Sequence, residues 1–171
     1  EEQYYLFFPI LLILFWSSGK KKIVWVIAIL ASFSFILSEW GWRNDPIFNF
    51  YLSPTRAWEL FAGSLVAFYL DKKSQQSNQL KSFVGIMLIA FPIYFYDETT
   101  PFPSIFTLAP IIGAALIIIF ADNKTLVAKI LSSKYLVGIG LISFSAYLWH
   151  QPIFVFYERE MEDYLNLYLD V

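Results

Sequence analysis

Four charged side chains and one imidazole stand at the edges of, or inside, long apolar stretches: Glu1, Glu2, Arg56, Glu59 and His150. Ionisable groups in such surroundings are costly, so each needs a partner or a task. Arg56 and Glu59 are three residues apart and share one face of a helix. They can form an interfacial ion pair that holds the helix end, with Trp58 as a neighbouring interface residue. They can equally form a polar wall for an anionic or hydroxyl-rich ligand, because a guanidinium grips an oxyanion through two parallel N–H bonds. His150 is the sole histidine, and Pro152 follows it at two positions. The proline lacks an N–H, frees the carbonyl near Leu148 and favours a kink at that level. An imidazole there is either a satisfied structural group or a proton carrier and hydroxyl binder. Glu1 and Glu2 open the first apolar segment, where acids favour the helix macrodipole. Gly63, Ser64 and Ala67 make a small-residue face for close helix contact one turn beyond Glu59.

The elements that carry these groups are six apolar segments, at 4–16, 23–37, 57–70, 83–96, 104–121 and 135–157. Apolar residues make up 58% of the 171 residues and charged residues 15%, against roughly 45–50% and about 25% in soluble domains. A soluble fold of this size has too little interior for that load, so lipid is the expected solvent for the excess. Aromatic residues reach 20%, which suits interfacial belts and aromatic helix packing. Runs such as 109–120 lack the alternation a spanning barrel needs. The expected fold class is therefore all-α, a polytopic transmembrane bundle of about six helices. The last two segments approach the roughly 20 residues needed to cross about 30 Å of hydrocarbon, and the others are shorter. No internal repeat, low-complexity tract or long linker interrupts the series.

Loop charges order the segments. Lys20, Lys21 and Lys22 follow the first, Lys72, Lys73 and Lys81 follow the third, and Lys124, Lys129 and Lys134 follow the fifth. In an alternating six-pass topology all nine lysines share one side, with only Asp71 and Asp122 among the acids. Cytoplasmic loops attract Lys and Arg, so the lysine side is expected inside. Glu1, Glu2, the loop from Glu39 to Glu59, the loop from Asp97 to Pro103 and a tail at 158–171 are then outside, as is the level of His150. Trp40, Trp42, Tyr94 and Tyr96 fall at the outer boundary, and Trp16 and Trp25 flank the inner one. Ser53-Pro54-Thr55 reads as a helix start, with the proline tolerated in the first turn. Gly19 and the lysine run end the first helix.

Several classes are set aside. The absence of cysteine removes disulfides, thiolate metal sites and cysteine nucleophiles, and a single histidine makes a metal centre unexpected. A net charge of −2 gives no sign of nucleic-acid binding. The chain opens on Glu1 with no signal-peptide n-region and reads as a fragment that begins at a helix edge.

Three stretches resemble the acyltransferase 3 family of bacterial membrane O-acyltransferases. Glu1-Glu2-Gln3-Tyr4-Tyr5-Leu6-Phe7-Phe8-Pro9 resembles its Glu-Glu-Gln stretch. Arg56-Ala57-Trp58-Glu59-Leu60-Phe61-Ala62-Gly63 resembles its Arg-x-Trp-Glu-Leu-x-x-Gly helix start, in the form typical of O-antigen acetylases. Tyr147-Leu148-Trp149-His150-Gln151-Pro152 resembles its Tyr-Leu-Trp-His-x-Pro helix. Their order and spacing cover nearly the whole chain.

The resemblance implies a bundle of about ten helices, of which this chain is the C-terminal part. It implies O-acyl transfer in the bacterial inner membrane, with acetyl-CoA as donor substrate and no bound cofactor. The acceptor would be a hydroxyl of a lipid-linked or surface glycan such as O-antigen. It also implies a fused or separate periplasmic SGNH-type, esterase-like domain as partner. The family's catalytic Arg/His motif lies before the Glu-Glu-Gln stretch, so this polypeptide alone is expected to be inactive. Glu1, Glu2, Arg56, Glu59 and His150 are then the candidates for the acceptor side. A polytopic transporter and a non-enzymatic membrane subunit are the rival readings. Transport would move an unmodified solute, although no inverted repeat is visible to favour it.

Overall fold

The computed structural model describes residues 2–169 apart from Ser74 and Glu98, and leaves out the side chains of Glu2, Gln151, Glu160 and residues 162–169. Among the described residues there are helices and no strands. The chain divides into two units, Glu1–Ala128 and Lys129–Val171.

The first unit contains α1 (Glu2–Trp16), α2 (Lys20–Asn44), α3 (Pro46–Tyr51), α4 (Ser53–Lys72), α5 (Gln79–Phe95) and α6 (Leu108–Phe120). Gly19, at φ 90°, makes the turn between α1 and α2 in a backbone region that other residues avoid. α2 runs beyond the predicted 23–37 at both ends. Its last turns hold because Glu39 pairs with Arg43 at i+4, 2.8 Å apart. α2 and α4 pack antiparallel. Lys20 meets Asp71 at 2.7 Å at one end, and Ser34 meets Pro54 and Trp58 towards the other. Between them Trp58 is buried and meets the Phe35 ring edge-on at 4.9 Å.

α5 and α6 form a second antiparallel pair whose axes approach at two glycines. A Cβ on Gly85 would fall 2.8 Å from the Gly113 carbonyl, and one on Gly113 would fall 2.7 Å from that of Gly85. Close backbone approach of this kind is how apolar helices associate without a hydrophobic drive between them. A 3-10 turn, Ile105–Thr107, leads into α6, and the Ser104 and Thr107 side chains cap it reciprocally. The connection after α4 packs on the end of α6, where Gln75 donates to the Ala121 carbonyl at 3.0 Å and Lys81 lies 4.3 Å from the centroid of the Phe120 ring. Lys20, Lys72, Lys73 and Lys81 thus gather at one end of the unit, and Glu39, Asp45, Arg56 and Asp97 at the other.

The short α7 (Leu126–Leu131) crosses the division between the units. Thr125 caps it by accepting from Ala128. The second unit continues with α8 (Lys134–Leu169), which passes through Pro152 and on through residues 158–169, read from sequence as a tail. Among the described residues two stretches are long and apolar enough to cross a membrane, Lys20–Asn44 and Lys134–Arg159. The apolar helices Gln3–Trp16, Gln79–Phe95 and Ile105–Phe120 are shorter.

Candidate functional site

The site begins with two consecutive helix starts. Asp45 caps α3 by accepting the Phe48 N–H at 3.1 Å, and Pro46 occupies the first turn, where its missing N–H costs nothing. Leu52 is extended, and α4 restarts at Ser53 with Pro54 in its first turn. These two breaks turn Phe50 back over α4. The Arg56 guanidinium carbon lies 5.3 Å from the Phe50 ring centroid and 5.6 Å from that of Phe102, which comes from the α5–α6 connection. The two rings are 6.2 Å apart. Each cation–ring contact stabilises by about 0.5–2 kcal/mol, depending on how dry it is.

Arg56 and Glu59 come together as their spacing predicts. Their nearest atoms, Nη2 and Oε2, are 3.8 Å apart, with side-chain exposures of 34% and 17%. The pair is loose, not a two-pronged fork. Arg56 Nε and Trp58 Nε1 are buried with no hydrogen-bond partner among the described residues. Buried donors are nearly always satisfied, so a donor left over beside an ionic pair marks a place where an acceptor oxygen would be welcome.

α1 is fixed beside this recess. Ser53 donates to Gln3 at 2.6 Å, the Tyr4 hydroxyl lies 2.7 Å from that of Ser64, and the Tyr4 ring meets Phe61 edge-on at 5.4 Å. The first turn of α1 and the first turn of α4 are therefore neighbours. Glu1 and the side chain of Glu2, both expected at the site, lie outside the described residues.

His150 belongs to the second unit. Its Nδ1–H donates to the Tyr147 carbonyl one turn back, and the ring packs near Tyr147 and Phe154. A carbonyl can only accept, so Nδ1 carries the proton and Nε2 keeps a lone pair in the neutral ring.

The residues that sequence reasoning passed over are those that hold the recess. Glu39 accepts from Trp42 Nε1 at 3.1 Å, from Arg43, and from the backbone N–H of Ile105 at the start of the 3-10 turn. It joins the end of α2 to the start of α6. Ser38 and Asn49, both buried, donate to the Pro103 carbonyl at 3.0 Å each. Further along the same connection, Asp97 accepts from the hydroxyls of Thr99 and Thr100, which hold its exposed carboxyl below the usual carboxylate range. A shallow hollow of about 390 Å³ is lined by Phe91, Tyr96, Thr100 and Phe106 among others. Among the described residues no three His, Asp or Glu side chains come together as metal ligands.

An apolar helical unit that sets an ionic pair beside two aromatic rings is what the described geometry defines. A family profile for an acyltransferase domain matches residues 1–167. The chain belongs to this acyltransferase family, which is membrane-associated. It is 26% identical over 171 residues to the Bacillus subtilis protein named "Putative peptidoglycan O-acetyltransferase YrhL", covering 91% of this chain and 27% of that protein. It is 30% identical over 170 residues to the peptidoglycan O-acetyltransferase OatA of Listeria monocytogenes, covering 90% of this chain and 27% of the relative. The chain thus spans 27% of the length of these two relatives. No solved structure matches it.

Proposed function

We propose that this chain forms the acceptor side of a multi-pass O-acyltransferase in the bacterial cytoplasmic membrane, with Arg56 as its principal acceptor contact. Acetyl-CoA is the donor, and a hydroxyl of a cell-envelope glycan is the acceptor. The glycan hydroxyl oxygen adds to the thioester carbonyl carbon, the C–S bond breaks and coenzyme A leaves as its thiol. The hydroxyl proton ends on that thiol, and the products are the acetyl ester of the glycan and free coenzyme A. The observation that carries this reading is the Arg56 recess at the end of the unit opposite Lys20, Lys72, Lys73 and Lys81. With the lysine end in the cytoplasm, as loop lysines favour, the recess opens on the side where envelope glycans are.

Between glycans, the names of the two relatives favour peptidoglycan over the O-antigen implied by the form of the Arg-x-Trp-Glu stretch. A guanidinium set beside two aromatic rings, with its fork still open, suits a planar carboxylate or a phosphate on the acceptor. Glu59 keeps the guanidinium oriented, and His150 Nε2 is a hydroxyl or proton acceptor in its own unit. An SGNH-type, esterase-like partner domain is compatible with an acceptor side that faces outward.

The test uses the full-length protein that carries this chain, reconstituted in lipid vesicles with radiolabelled acetyl-CoA. Label should appear as a base-labile ester on peptidoglycan fragments. Ester on O-antigen alone would reassign the acceptor, and movement of an unmodified solute without ester would replace acylation by transport. Arg56→Lys keeps the charge but loses the planar fork. It should lower acylation about tenfold or more at an unchanged protein level, the worth of one charge-assisted bond. An equal fall in activity and protein level would make the residue structural.

A further inference from the structure

One buried residue lies within one chain neighbour of both rings beside Arg56 and of Arg56 itself. Asn49 is 1% exposed. Its Nδ2–H donates to the carbonyl of Pro103, the neighbour of Phe102. Its own backbone carbonyl accepts the hydroxyl of Thr55 at 2.6 Å, and Thr55 is the neighbour of Arg56. Phe50, the other ring over the guanidinium, follows it directly. On its far side the Asn49 amide fills the place where Gly41 has no side chain. A Cβ there would come within 2.9 Å of Asn49 Cγ. α2 and the α5–α6 connection therefore meet α3 at this amide, and α4 meets it at the backbone carbonyl of the same residue.

We propose that Asn49 is a positioning residue for acceptor binding: it sets the two aromatic walls and the first turn of α4 so that the Arg56 guanidinium faces the acceptor. This rests on the reading of Arg56 as the acceptor contact. The chemistry requires a short side chain with an N–H donor. Leucine has no donor, and aspartate would set a carboxylate oxygen against the Pro103 carbonyl. The Ser38 hydroxyl also donates to that carbonyl, so removing the amide does not leave the carbonyl without a partner. The loss is one of aim more than of fold.

The experiment compares Asn49→Ala, Gly41→Ala and Arg56→Lys, singly and combined, in the full-length protein with a soluble muropeptide as acceptor. Gly41→Ala pushes on the amide without deleting it, and serves if Asn49→Ala does not accumulate. Each single variant should raise the acceptor KM about tenfold, while the acetyl-CoA KM stays put and kcat stays within about twofold. Adding Asn49→Ala or Gly41→Ala to Arg56→Lys should raise it no further. Equal changes in both KM values, or effects that multiply in the double variants, overturn the proposal.

A second measurement separates this proposal from the functional reading beneath it. Thermal unfolding of Asn49→Ala, Arg56→Ala and the double variant reports their coupling whether or not the muropeptide is the acceptor. The shifts should be clearly non-additive. Additive shifts overturn the positioning role. Coupled shifts with an Arg56→Lys enzyme of normal acceptor KM leave the geometry standing and overturn the acceptor role of Arg56.

Discussion

The Ser34 hydroxyl of α2 accepts the backbone N–H of Trp58 in α4 at 2.9 Å, and it donates to the Pro54 carbonyl at 2.5 Å. Pro54 and Trp58 are an i, i+4 pair, so a side chain from the neighbouring helix bridges one rung of the α4 ladder just where Arg56 and Glu59 project. Ser34→Ala removes a buried bridge and should cost about 1–3 kcal/mol. A Tm lowered by a few degrees in detergent, with the Trp58 fluorescence maximum shifted, would confirm the bridge. An unchanged Tm would show that α4 closes this rung by itself.

The glycine contact between α5 and α6 yields a steric prediction. At Gly85 the obstacle to a methyl group is the Gly113 backbone carbonyl, which no side-chain rotation can move. Gly85→Ala must therefore push the helices apart by some tenths of an ångström, at about 1–3 kcal/mol. Gly63, by contrast, has nothing within 4 Å of its Cβ position, so Gly63→Ala should leave Tm the same or slightly raised. Equal Tm losses for the two alanine variants would contradict the close approach.

His150 separates structure from chemistry through its two nitrogens. Nδ1–H is committed to the Tyr147 carbonyl, and any functional role must use Nε2. An asparagine amide places its nitrogen near Nδ1 but has nothing at Nε2. His150→Asn should thus retain protein level and lose acylation, by roughly the 10²-fold that a positioned proton acceptor contributes. Loss of protein level with activity per molecule intact would make the imidazole structural.

How much of this was legible in the chain depends on the range of the interaction. Apolar runs located α1, α2, α4, α5, α6 and α8, because a run of side chains needing burial is a local property. The Ser53-Pro54 start of α4 was equally local. The apolar run 23–37 covers only part of α2, which spans Lys20–Asn44. Glu39 pairs with Arg43 one turn on and caps the turn at Ile105, 66 residues away. α3 had a readable signal in Asp45-Pro46, a cap followed by a first-turn proline, which the apolar reading passed over. The recess itself was half legible. Arg56 and Glu59 announce each other at i+3, but the rings that flank Arg56 come from a six-residue helix and from a connection 46 residues downstream. Asn49 and Ser38 bind a backbone carbonyl 54 and 65 residues away. Any residue has a carbonyl, so no pattern in the sequence marks that partner.

The orientation of the first unit is open to direct measurement, because the chain contains no cysteine to confuse labelling. Lys73 and Thr99 are both exposed, and they belong to opposite ends of α5. In a cysteine-free full-length background, Lys73→Cys should react with a membrane-impermeant maleimide only in inside-out vesicles, and Thr99→Cys only in intact cells. α5, at Gln79–Phe95, is only about 26 Å long at 1.5 Å per residue, shorter than the roughly 30 Å of a hydrocarbon core. The pattern would therefore also show that a short helix, with its flanking turns, crosses the bilayer. Labelling of both positions from one side would place α5 on the surface, and the Arg56 recess would lose its outward opening.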